Sequence, residues 1–201
     1  MKSKFLKVFI SVVLIAAYVG VFFVMSIMDL LNTKDVYEIS INAAGQLLTV
    51  ENSINGIIPT GRDYYYIGFD NTTKSIYTIH AGKKWLYENF DVDGMAKGNN
   101  ITIKGLLKRE NDFDVENELA DRIQQTYNET KYNIPLEPGK VLEINYIRDA
   151  IMRVVAGVLI LIIGIVIFLF GKKSNNIPIW MRRVFIFLFV LTLLFALWTI
   201  L

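Results

Sequence analysis

The sequence predicts three membrane-spanning helices carrying one α+β domain with a small antiparallel sheet. Three observations predict this. Three long runs carry no charge, every acidic residue falls between the first and second run, and that middle segment mixes strand-like alternation with one strong helical repeat.

The runs come first in the argument. Val8–Met28 is charge-free over 21 residues, and Val154–Gly171 and Val184–Leu201 are each charge-free over 18. About 20 mostly apolar residues carry a helix across a hydrocarbon core of roughly 30 Å. The first run exceeds the apolar core of a signal peptide, about 7–15 residues, and no good small-x-small site follows it, so it reads as a retained anchor.

Charge sets the orientation. All 19 Asp and Glu lie between Asp29 and Asp149, whereas Lys2, Lys4, Lys7, Lys172, Lys173, Arg182 and Arg183 flank the runs. Basic flanks mark the cytoplasmic side of a membrane. The expected organisation is a cytoplasmic N-terminus and first transmembrane helix (1–28), an extracytoplasmic α+β domain (29–150), a second transmembrane helix (151–171), a cytoplasmic loop (172–183) and a third transmembrane helix (184–201). The protein is thereby expected in the cell membrane as a multi-pass chain, its C-terminus outside and the lipid bilayer one of its partners.

Residues 29–150 hold 13 Lys and Arg against 19 Asp and Glu, a balance of −6 that the whole-chain +2 conceals. An acidic domain argues against nucleic acid as a partner. With no cysteine in the chain, disulfides and lipid-modified cysteine are excluded.

Within the domain, Val36–Ile41 has strand composition, and Ala43–Val50 suits helix or strand. Tyr64–Phe69 and Ser75–His80 flank Asp70–Lys74 as a hairpin, the second arm alternating with period two. Lys83–Phe90 suits a short helix, with Leu86 and Phe90 on one face. Ile101–Leu107 reads as a strand. In Asp112–Tyr127, Val115, Leu119, Ile123 and Tyr127 recur every four residues, and Asp114 suits the helix cap. Val141–Ile147 reads as a last strand. This order is also compatible with an OB-like barrel.

Chemistry is sparse. The runs hold no Asp, Glu, Lys, Arg or His, which argues against a transport path. One histidine, His80, without cysteine does not make a usual zinc site, and as a strand-end residue it reads as structural or solvated. No serine lies in a nucleophile motif, and no phosphate loop or dinucleotide fingerprint occurs. From Asp112, the acidic alternation to Glu118 lacks the Gly and Glu of a calcium loop and reads as a helix start. Asp91-Val92-Asp93-Gly94 reads as a turn. No catalytic, cofactor or metal residue is assigned, and no enzyme is expected.

Two groups remain. Tyr64, Tyr65, Tyr66 and Trp85 belong to a dense aromatic cluster, mostly core, one face of which is a candidate partner-binding surface. Ala16 and Gly20, and Gly157, Gly164 and Gly171, place small residues along helix sides, where they favour close helix packing.

The stretches Ile58–Tyr66, Lys83–Phe90 and Ile101–Gly105 resemble a family of uncharacterised small three-span membrane proteins from Gram-positive bacteria. The resemblance covers part of the outer domain, implies a Gram-positive source and transfers no functional residue. The expected function is that of a non-enzymatic membrane protein whose outer domain docks a protein partner, as accessory subunit, sensor or scaffold, or pairs with its own copies. A toxin or bacteriocin immunity protein and an envelope enzyme are the alternatives.

Overall fold

The computed structural model describes residues 18–32, 34–54 and 58–172. They fall into two compact units, one of residues 32–146 and one drawn from 1–31 and 147–201.

The unit 32–146 is built on six strands: β1 (Val36–Ile41), β2 (Ala43–Ile54), β3 (Ile58–Asp70), β4 (Ser75–Ala81), β5 (Ile101–Arg109) and β6 (Lys140–Glu143). They form one sheet in the order β1-β5-β6-β4-β3-β2. β1 and β2 stand at opposite ends of that order yet are joined through the single residue Asn42, so the sheet curls round to bring its two ends together. β6 enters between β5 and β4, antiparallel to β5 and parallel to β4, with Ile79 opposite Leu142 and His80 opposite Glu143. The sheet is therefore mixed and six-stranded, which corrects the small antiparallel sheet expected. That strand direction was hidden because β4 and β6 meet only after the chain has made β5 and a long helix between them.

Both sheet faces are covered. Trp85–Asn89 forms a short helix, labelled α2 here because Met25–Leu31 is α1. Trp85 and Phe90 join Ile41, Tyr66, Ile79 and Leu142 in the larger core. On the other face, helix α3 (Phe113–Thr130) lays Leu119 on Tyr65 and Val141, and Ile123 on Ile67 and Ile76. Its start is capped by Asp112, not Asp114. The Asp112 carboxylate accepts the N–H groups of Asp114 and Val115 at 3.0 and 3.3 Å, satisfying donors that a helix start leaves unpaired.

The helical unit contains a π-turn, Gly20–Val24, leading into α1, and part of α4 (Tyr146–Lys172). Phe22 packs on Ala156, Tyr18 donates to the carbonyl of Gly157, and Arg153 pairs with Asp29 at 2.7 Å.

The membrane expectation is corrected at this point. Among the described residues no helix is long and apolar enough to cross a membrane. Of the first expected span, 1–28, the described part is the π-turn and the start of a seven-residue helix that includes Asp29. The second, 151–171, lies in a helix whose first turns hold Arg148, Asp149 and Arg153. The third span, 184–201, and all of the loop 172–183 beyond Lys172 lie outside the described residues. The multi-pass cell-membrane location, with its orientation, rested on those spans and is withdrawn with them.

Candidate functional site

The aromatic residues singled out in the sequence are mostly core. Tyr65 is 3% exposed, Tyr66 2% and Trp85 9%. Tyr64 is half-buried against the same core. Alternation does send Tyr65 and Tyr66 to opposite faces, but α3 covers one and α2 the other. Of the small residues, Gly157 is buried, and a Cβ there would lie 2.8 Å from the Cβ of Phe22, so the two helical segments pack closely at that point. Gly20 and Gly164 have open space where a Cβ would stand. Ala16 and the surroundings of Gly171 lie outside what is described.

Cross-strand register assembles a second group that the sequence did not reveal. His80 of β4 faces Tyr65 of β3 and Glu143 of β6. Its Nδ1 donates to Glu143, its Nε2 lies 3.4 Å from a carboxylate oxygen of Asp63, and its ring stacks on Tyr65. The carboxylates are held in turn. Asn52 donates to Asp63 at 2.7 Å, and the backbone N–H of Asn145 donates to Glu143 at 3.1 Å. Tyr65 donates its hydroxyl to Glu110.

Burial alone would lower the His80 pKa, but the hydrogen bonds and charges of Asp63 and Glu143 outweigh it and push the value up to about 10. Asp63 is held below the usual carboxylate range; burial opposes this, and hydrogen bonds from His80 and Asn52 prevail. Burial, then the Glu110 carboxylate, drives the Tyr65 hydroxyl upward. His80 is thus an imidazolium at neutral pH with both nitrogens engaged. It has no free lone pair with which to act as a base, and the group serves as an ionic tie across β3, β4 and β6.

An open groove lies between α2 and the start of β2. Open-sided and about 670 Å³ in volume, it is bounded by Ala44 and Gly45 on one side and by Leu86, Tyr87 and Phe90 on the other. The turn Asp91–Gly94 and Lys97 complete its rim. Tyr87 is 70% exposed and Val92 fully exposed.

The rim is firmly built. The Asp91 carboxylate accepts the N–H groups of Asp93 and Met95. Ala44 donates its N–H to the Gly94 carbonyl, and Ala96 donates to that of Asn42, each at 2.9 Å. Gly94 has φ +77, and a Cβ there would stand 2.6 Å from the carbonyl oxygen of Ala44, so only glycine fits. Lys97 donates its ammonium to the carbonyl of Tyr87 at 2.5 Å and its backbone N–H to that of Asn89 at 2.9 Å, which ties the rim to the C-terminal end of α2.

No family model, curated protein or solved structure matches the chain. No enzyme family is thereby indicated, and the functional argument rests on the geometry above. The signal for the groove was present in the sequence. Tyr87 falls off the Leu86–Phe90 face of its helix, and Val92 is an aliphatic residue between two acids in a turn.

Proposed function

We propose that the unit 32–146 is a docking module that receives a polypeptide segment of a partner protein in the groove between α2 and β2. One observation carries this reading. Tyr87 on α2, and Val92 on a turn whose backbone is pinned to β2, stand in solvent beside an apolar groove. Exposed apolar side chains around a preformed concavity are the usual mark of an interaction site. A rigid rim lowers the ordering cost of association. The open side favours a polypeptide over an enclosed small molecule. Accessory-subunit and scaffold roles both follow from such a module, and the His80 tie supplies a firm sheet to carry it.

The test is a photocrosslinking amino acid placed at Val92 in the full chain, expressed in the cells it comes from. Glu129, exposed on α3, serves as the control position. One stoichiometric adduct at Val92 and none at Glu129 is the expected result. Adducts of equal yield at both, or none at either, would overturn the reading. A self-adduct at Val92 would replace the partner with a second copy.

A further inference from the structure

We infer that the occupant of the groove is a short extended segment that adds to the free edge of β2, with an apolar side chain in the groove and a basic residue beside Asp93. The inference rests on the docking reading and specifies its mode.

The first ground is the edge itself. β2 ends the sheet order. Ala44 gives its N–H to Gly94, and Ala43 bridges to Met95. From Gly45 onward, among the described residues, the backbone of β2 pairs only with β3. The unpaired edge therefore begins where the groove begins, at Gly45, which places no side chain over it. An edge of free N–H and C=O groups is a template for one more strand, and pockets beside such an edge supply side-chain specificity.

The second ground separates a short peptide from a second copy of this chain. Pairing two β2 edges needs a long regular strand. The β2–β3 register shifts between Gln46 and Leu48 and again between Asn52 and Ser53. Bulges bend and twist an edge away from long pairing. Beyond Gly45 and Gln46, the regular register of β2 runs from Leu48 to Asn52, five residues between the two shifts, which is the length of a linear motif and not of a second β2.

The third ground is charge. The rim carries Asp91 and Asp93 against Lys97, and Lys97 is engaged with the carbonyls of Tyr87 and Glu88. Asp93 and Glu88 are exposed. A basic residue next to the apolar anchor meets this rim, and the −6 balance of residues 29–150 favours it at longer range.

The experiment selects a random-peptide phage library on the full chain. The consensus peptide is then synthesised plain and with alternate backbone nitrogens methylated, and binding is read by fluorescence anisotropy. A consensus pairing lysine or arginine with an aliphatic or aromatic residue is expected. Binding should weaken about tenfold or more on backbone methylation, and similarly in Asp93→Lys and in Val92→Asp, both exposed sites on the rim. An acidic consensus, or equal binding of the methylated peptide, would overturn strand addition. If that equal binding is still lost in Val92→Asp, groove docking stands while its extended mode falls. If no peptide is selected although Val92 crosslinks to a partner, the inference fails and the docking reading survives.

Discussion

At His80 the sheet holds a cation between two carboxylates, and the sign of its pH dependence follows. Its pKa is about 10 when folded, against 6.5 ordinarily. The stability it contributes is complete below about pH 6.5 and is lost as pH rises through about 10. Asp63 works in the opposite direction. Its contribution is complete above its ordinary value of 3.8 and is lost as pH falls through its lowered one. Urea unfolding across this range should show stability declining into alkali. His80→Gln should be flat over the same alkaline range and less stable at neutral pH by about 2–3 kcal/mol, because two facing carboxylates lose their counter-charge. A variant that keeps the alkaline decline would assign it elsewhere. His80 was visible as the chain's one histidine, but its partners were not. Asp63 and Glu143 reach it only through strand pairing, and periodicity carries no record of which strands pair.

Helix α3 was the element most legible in the sequence, since Leu119 and Ile123 repeat at helical spacing and are the residues the sheet buries. The cap was misplaced, and the helix runs on past Tyr127 to Thr130. Three acids crowd the start, and the acceptor proves to be Asp112, whose partner Val115 lies three residues on. Asp112→Ala should therefore cost about 1 kcal/mol, and Asp114→Ala only a few tenths through the helix dipole, both read by thermal melting. Equal losses would contradict this capping. Val141–Ile147 was read as strand throughout, but pairing stops at Glu143 and a helix begins at Tyr146. An apolar stretch alone does not separate the two. In the groove's rim, Gly94→Ala combines a left-handed φ with a clash on Ala44. It should cost about 1–3 kcal/mol and loosen the 91–96 turn, detectable as faster amide exchange at Met95 and Ala96. Unchanged exchange there would show that the turn does not depend on Gly94.

For the whole molecule, the strands of the domain were largely readable, because β3 is rich in aromatic and β-branched residues, β4 alternates, and a polar turn separates them. The way the sheet is covered was not. Tyr65 and Tyr66 looked like one buried and one exposed face, and two helices bury both. The spans were read from charge-free runs and the charges that flank them, which say nothing of where a helix starts, and α4 starts early enough to take in Arg148, Asp149 and Arg153. What the fold leaves open is the groove with its pinned rim, and the account's central claim is that a partner docks there. The most direct measurement is amide hydrogen exchange of the full chain, alone and with the partner captured through Val92. Slowed exchange at the start of β2 and across 85–97, with α3 unchanged, is the predicted result. Slowing confined to α3, or none in the groove, would contradict the account.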